Sequence, residues 1–180
     1  MTVALRETWT IERFLAWEDA QEGRHEFDGR RIVEATGGTR AHQRIVSNLI
    51  RALEDALDPE RFDAVPEMRL AVGGSVRYPD VTVVAGRVPD AERTLRDALV
   101  LFEVVSPDSL DLDHGAKRAE YAGLPSIRRY VILEQTRAAA TVLERQAGGW
   151  VPVAAAAELA MPELGITLPL AAVYRGVRFG

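Results

Sequence analysis

The run from Ala98 to Val105 constrains the fold more than any other part of this 180-residue chain, because seven of its eight residues are apolar. A nearly continuous apolar run of this length is typical of a central strand that is covered on both faces. Glu103 is the one exception within it. Burying a carboxylate is unfavourable unless it is paired or coordinates a cation. Glu103 is therefore predicted either to form a buried ion pair with a Lys or an Arg, or to belong to a functional site.

The remaining patterns predict alternating helices and strands around this run. Thr10 and Thr39 stand before amphipathic segments and are candidate starting points of helices, and Asp28-Gly29 is a turn signal between two short strands. We predict helices over 8–20, 39–57 and 113–122, a hairpin over 25–34, and strands over 62–72, 78–85, 98–105, 129–134, 139–145 and 150–154. A loop over 106–112 and an apolar packing tail over 165–174 complete the prediction of one domain, 1–180.

Composition excludes several classes of protein and site. The chain has no cysteine, so a metal would need oxygen or imidazole ligands. A net charge of −5 argues against a protein that coats nucleic acid through its bulk charge. The sequence shows no signal peptide and no apolar run long enough to span a membrane, so we expect a cytoplasmic protein.

Asp80 and Glu103 are candidates for a shared metal site. Asp80 follows Tyr78-Pro79 at the start of one predicted strand, and Glu103 lies in another. If the two strands are neighbours, both carboxylates converge at one edge. Carboxylate ligation of this kind suits Mg²⁺ or Mn²⁺, which also bind water and substrate phosphate oxygens.

Lys117 is the single lysine of the chain, because the other 21 of the 22 basic residues are arginines. An ammonium is compact and can release its proton when desolvated, whereas a guanidinium is broad and stays charged. A position that requires lysine points to a site beside the carboxylates, where the ammonium orients water or neutralises developing charge. The other interpretation is a solvated helix position, with Lys117 paired to Asp113 one turn earlier.

Several motifs together resemble one known family. They are Glu26-Phe27-Asp28-Gly29, Ala41-His42-Gln43, Tyr78-Pro79-Asp80-Val81, Glu103-Val104-Val105-Ser106-Pro107, Lys117 with Tyr121, and the segments 124–131 and 165–170. This pattern spans nearly the whole chain and resembles the Uma-type, restriction-endonuclease-like family of the PD-(D/E)XK nuclease superfamily.

The resemblance implies an α/β restriction-endonuclease-like fold with a central mixed β-sheet flanked by helices. It also implies a Mg²⁺ or Mn²⁺ site at Asp80 and Glu103, with Glu26 as a further acid, and hydrolysis of phosphodiester bonds in DNA. The superfamily motif places a lysine two residues after the glutamate, where this chain has Val105. Lys117 is similar to the lysine that the Uma-type family carries on the following helix.

The remaining candidate residues have two interpretations each. His42, in the first turn of a predicted helix, either contacts a phosphate or supports the metal site, or it is an exposed residue without a role. Tyr121 lies one turn after Lys117 and either orients the ammonium or packs in the core. We expect His25 and His114 to have no role in the site.

We therefore expect a metal-dependent endonuclease, and the alternative is a catalytically silent nucleic-acid-binding or regulatory protein on the same fold, because a fold alone does not determine function. The resemblance also predicts a homodimer. The apolar stretch 166–173 supports it if one small core cannot cover that stretch.

Overall fold

The computed structural model describes residues 9–35, 38–105, 113–155 and 157–179. The helices are α1 (Ile11–Glu18), α2 (Arg40–Ala56), α3 (Asp113–Ala122) and α4 (Leu170–Val173). The strands are β1 (His25–Phe27), β2 (Ile32–Glu34), β3 (Phe62–Pro66), β4 (Arg69–Val72), β5 (Ser75–Arg77), β6 (Val81–Ala85), β7 (Thr94–Leu95), β8 (Val100–Val105), β9 (Arg129–Glu134), β10 (Ala140–Gln146), β11 (Gly149–Val153), β12 (Glu158–Met161) and β13 (Ile166–Pro169). The predicted loop over 106–112 lies outside the described residues.

The apolar run forms the middle of a mixed sheet with the order β11-β10-β9-β8-β6-β3. Strand β8 is parallel to β9 and antiparallel to β6. All six residues of β8 are buried, as expected of a strand covered on both faces. The predicted central strand is confirmed.

The two faces of β8 contact different helices. Val100, Phe102 and Val104 pack in the core cluster that contains the buried side of α2. Leu101 and Val105 point the other way, into the cluster that contains Tyr121 of α3. Because side chains alternate along a strand, Glu103 lies on the α3 side of the sheet.

A second sheet, with the order β2-β1-β5-β4-β7, was not predicted. Its presence makes the prediction of one strand over 62–72 wrong, because that segment divides into β3 and β4 in different sheets. The break follows from Pro66, which lacks an N–H, and from Glu67, whose positive φ of 47° turns the chain. Strand β6 likewise begins after Pro79-Asp80, not at Tyr78.

The helix starts agree with the predicted caps. The hydroxyl of Thr10 accepts a hydrogen bond from the N–H of Arg13 at 3.2 Å, and that of Thr39 accepts one from His42 N–H at 3.2 Å. Among the helices of the described ranges, none combines the length and the apolar character that a membrane-spanning segment needs.

The C-terminal stretch packs on the main core, as predicted, although the hairpin of β12 and β13 within this region was not foreseen. Leu168, Leu170 and Val173 are buried beside α2. These side chains are covered by their own chain, so they do not support an interface between two copies. The homodimer stays a prediction that rests on the family resemblance.

Candidate active site

Strand register brings Asp80 and Glu103 together. Val81 of β6 lies opposite Phe102 of β8 in an antiparallel pair, so Asp80, one residue earlier, faces Glu103, one residue later. The N–H of Val104 donates to Oδ2 of Asp80 at 2.6 Å, which holds this carboxylate against the end of β8. The two strands are therefore neighbours, as a shared metal site requires.

Helix α3 places two further groups on Glu103. The Nζ of Lys117 lies 3.2 Å from both carboxylate oxygens, and the Tyr121 hydroxyl donates to Oε1 at 2.8 Å. Burial raises the pKa of Glu103, while the ammonium of Lys117 acts in the opposite direction. Burial also raises the pKa of Tyr121, so its hydroxyl remains a donor.

The contact between Glu103 and Lys117 is expected both of an active site and of a structural ion pair. The surroundings favour the first interpretation. Lys117 is not in contact with Glu103 alone, since Oε1 of Glu26 lies 4.0 Å from its ammonium. All three side chains line the same cleft as Asp80, whereas a purely structural pair needs no opening to solvent.

Helix α2 supplies a partner for Asp80. The Nε2 of His42 lies 3.0 Å from Oδ1 of Asp80. This hydrogen bond raises the pKa of His42, against the effect of burial. The pair therefore stabilises the fold below the ordinary pKa of histidine, and its contribution is lost as pH rises through the raised value. His42 is thus a hydrogen-bonding partner of Asp80, and the interpretation as an exposed residue is wrong.

The ring of His42 has room only because residue 38 is a glycine. A Cβ atom at Gly38 would lie 2.4 Å from Nδ1 of His42, well inside contact distance. On its other nitrogen, Nε2, the ring is held by Asp80. A side chain at position 38 would therefore displace His42 from Asp80.

Arg77, which the sequence did not single out, connects Glu26 to α3. Its guanidinium donates to Oε2 of Glu26 at 3.0 Å and to both carboxylate oxygens of Glu120 at 2.7 Å. Burial lowers the pKa of Arg77, but the bonds to Glu120 and the charge of Glu26 raise it overall. Arg77 therefore stays charged and ties the helix that carries Lys117 to the second sheet.

Arg145 of β10 holds the C-terminal end of α3. Its guanidinium donates to the carbonyl oxygens of Tyr121 and Leu124 at 2.9 Å and of Ala122 at 3.1 Å. The carbonyl oxygens of Tyr121 and Leu124 also accept bonds from the N–H groups of Leu124 and Ile127, at 3.3 and 3.2 Å. A cation at the end of a helix stabilises it further. Arg145 thereby helps to fix the orientation of Lys117 and Tyr121.

Arg145→Leu should lower the free energy of unfolding by about 2–4 kcal/mol, because it leaves carbonyl oxygens at the end of α3 and in the turn after it without a charged donor. Urea denaturation measures this change. Arg128→Leu is the matched control, since Arg128 is exposed, and it should stay within about 0.5 kcal/mol of wild type. Equal stability of the two variants would show that Arg145 does not hold the helix.

These elements surround a cleft of about 720 Å³ that is rich in acids. Its lining includes Glu22, Glu26, Glu34, Glu67, Asp80 and Glu103, against the cations Arg24 and Lys117 and the ring of His42. Within the described ranges, no three His, Asp or Glu side chains form a preformed metal-binding group. Two adjacent carboxylates nevertheless fit Mg²⁺, which uses one or two of them and completes its coordination with water and phosphate.

His25 lies apart from these groups. His25 contacts Trp17 and the carbonyl of Gly23, and neither contact involves the cleft. The side chain of His114 lies outside the described residues. Arg77, which is buried, and Arg145, which is half-buried, were missed because nothing in the sequence distinguishes them from the other arginines of the chain.

Comparison with known proteins identifies a family and several similar proteins. Residues 11–173 match the model of the Uma2 family, whose description is "Putative restriction endonuclease". Two relatives come from Synechocystis sp. (strain ATCC 27184 / PCC 6803 / Kazusa). The first, "Uncharacterized protein sll1609", is 26% identical over 141 residues, 75% of this chain and 80% of the relative. The second, "Uncharacterized protein slr1290", is 24% identical over 175 residues, 93% of this chain and 92% of the relative.

A solved structure supports the fold. The crystal structure of "a putative nuclease belonging to DUF820" from Anabaena variabilis ATCC 29413 has a TM-score of 0.75, covers 92% of this chain and 97% of its own, and is 16% identical. At this identity the likeness concerns the fold, and the predicted restriction-endonuclease-like architecture is confirmed. Since the family model also spans nearly the entire chain, this protein belongs to the Uma2 family.

Proposed function

We propose that this protein is a metal-dependent endonuclease that hydrolyses phosphodiester bonds in DNA. The observation that carries the proposal is the convergence of Asp80, Glu103 and Lys117 on one open cleft. Two acids and one ammonium match the needs of phosphodiester hydrolysis, in which negative charge accumulates on the phosphate. The family description points to the same reaction class.

Asp80 and Glu103 are the residues that would hold Mg²⁺ or Mn²⁺. When bound, the ion supplies Lewis-acid stabilisation of the charge on the phosphate oxygens. The acid-rich lining of the cleft gives a physical reason why the reaction would require a metal ion. A phosphate that enters beside several carboxylates is repelled, and a divalent cation reverses this repulsion.

Lys117 is the residue that acts on the reacting atoms. In hydrolysis, the oxygen of water forms a bond to phosphorus, the bond to one sugar oxygen breaks, and that oxygen takes up a proton. The ammonium of Lys117 can orient the water and stabilise the pentacovalent phosphate. Glu103 and Glu26 hold the ammonium from two sides, at 3.2 and 4.0 Å.

Tyr121 and His42 support this arrangement from outside the reacting atoms. Tyr121 donates to Glu103, and His42 donates to Asp80 when its Nε2 carries a proton. Each therefore fixes the orientation of one carboxylate. Partners of this kind commonly affect metal affinity by about 10- to 100-fold.

The proposal is tested by incubating supercoiled plasmid with the protein and Mg²⁺ or Mn²⁺, with an EDTA-treated sample as control. We expect nicked and linear products only when the metal is present, because the two carboxylates need a cation to accept a phosphate. Calorimetric titration with Mn²⁺ should show binding in the absence of DNA. DNA binding without cleavage at any metal concentration would instead support the catalytically silent alternative.

A further inference from the structure

Three arginines line a second concave surface, next to α2 and the C-terminal segment. This surface, the arginine groove, has a volume of about 340 Å³ and is lined by Arg40, Ala41, Arg44, Gly176, Val177 and Arg178. No acid is among these lining residues. All three arginines are exposed, and within the described part of the chain none of their guanidinium groups forms an ion pair or a hydrogen bond.

The arginine groove is held in shape by buried contacts. Asn48 of α2 donates to the carbonyl oxygens of Val173 and Arg175 at 2.9 and 2.8 Å, which anchors the segment after α4 against this helix. The Tyr174 hydroxyl lies 2.8 Å from the carbonyl oxygen of Glu134 and 2.7 Å from that of Ala139, and it donates its proton to one of the two. Arg178 is thus brought beside the first turn of α2 by a fixed segment.

The groove and the cleft lie on different sides of the same helical turn. His42 lines the cleft, while Arg40 and Arg44, four residues apart, share another face of α2. A helix with its side chains is about 10–12 Å across, which corresponds to the rise of about three nucleotides along the axis of a duplex. A strand with one phosphate in the cleft therefore has others within reach of the groove.

We propose that the arginine groove binds the phosphate backbone of DNA beside the cleavage position, an inference that rests on the proposed nuclease function. Guanidinium groups suit this task, because their planar donors match phosphate oxygens. The chain as a whole carries −5, and the cleft is rich in acids. Cationic side chains outside the cleft are therefore needed to bind the DNA backbone, while hydrolysis takes place in the cleft.

The test compares two triple variants with the same change in charge. The first is Arg40→Gln, Arg44→Gln and Arg178→Gln. The control is Arg51→Gln, Arg87→Gln and Arg96→Gln, which replaces exposed arginines that line neither the groove nor the cleft. Fluorescence anisotropy with a labelled 20-base-pair duplex, in EDTA to prevent cleavage, measures Kd between 50 and 200 mM NaCl.

We expect the groove variant to raise Kd by on the order of 10- to 100-fold at 100 mM salt. The slope of the logarithm of the association constant against the logarithm of the salt concentration should decrease in magnitude by about 2–3, since up to three phosphate contacts are lost. The control variant should change Kd by less than about threefold. Melting curves establish that both variants are folded.

Cleavage by the unmodified protein separates the two proposals. If this protein cleaves plasmid and the groove variant binds and cleaves like the control, the groove proposal is wrong and the nuclease proposal stands. If the protein neither binds nor cleaves DNA, both are wrong. Binding to vesicles of anionic lipid, combined with no binding to the duplex, would assign the groove to a membrane and also overturn the proposal.

Discussion

Asp80→Asn is expected to reduce metal-dependent DNA cleavage by on the order of 10³-fold, about 4 kcal/mol of transition-state stabilisation. Asparagine has nearly the same shape and can still accept the Val104 N–H bond that now holds Asp80 at 2.6 Å. What it lacks is the negative charge that binds a cation next to Glu103. The rate of plasmid nicking under excess Mn²⁺ measures the loss.

Two further measurements identify the cause of that loss. Calorimetry should show weaker Mn²⁺ binding, because one of the two charged ligands is gone. The pKa of His42, followed by NMR, should fall, since its hydrogen bond to Asp80 is the main reason that it is raised. Asp90→Asn is the control, because Asp90 is exposed and away from the cleft. Wild-type nicking by Asp80→Asn would remove Asp80 from the active site.

The parts of the fold that were predicted correctly depend on strong local signals. The apolar run around Phe102 indicated a buried strand because both of its faces pack against helices. Thr39 marked the start of α2 because its hydroxyl satisfies a free N–H there. Such signals need no knowledge of the rest of the chain.

The errors arise where a few residues decide between different long-range pairings. Segment 62–72 has the composition of one strand, but Pro66 and the positive φ of Glu67 direct its halves into separate sheets. A positive φ at a glutamate is rare, so the sequence contains no signal for it. The hairpin of β12 and β13 likewise involves long-range contacts, since Leu159 and Leu168 pack in the core cluster that contains the buried side of α2.

The candidate site also contains residues that local sequence signals indicate and residues that only the fold reveals. Asp80, Glu103 and Lys117 became candidates because each is unusual for its place: an acid directly before one apolar strand, an acid within another, and one lysine among arginines. Arg77 and Arg145 orient α3, yet their sequence contexts are those of ordinary surface residues. Their importance depends on which carboxylates and carbonyls the fold brings within reach, and spacing along the chain does not reveal that.

Lys117→Arg is the substitution that best separates a catalytic lysine from a structural one. Arginine keeps the positive charge beside Glu103, so the buried carboxylate retains a partner and the melting temperature should change little. Its guanidinium is broader, however, and cannot release a proton. We expect DNA cleavage to fall by on the order of 10²-fold, the scale of a positioned acid–base group.

The neighbouring residue provides the control, and a third variant tests the ion pair itself. Arg118→Lys makes the reverse exchange at an exposed position of α3 and should leave both cleavage and stability near wild type. Lys117→Met removes the charge and leaves Glu103 buried without its cationic partner, at a cost of about 3–5 kcal/mol. Thermal unfolding and plasmid nicking are measured for all three variants. If Lys117→Arg cleaves at the wild-type rate while Lys117→Met is unstable, the lysine is a structural counterion of Glu103, because charge without the ammonium shape would then be sufficient.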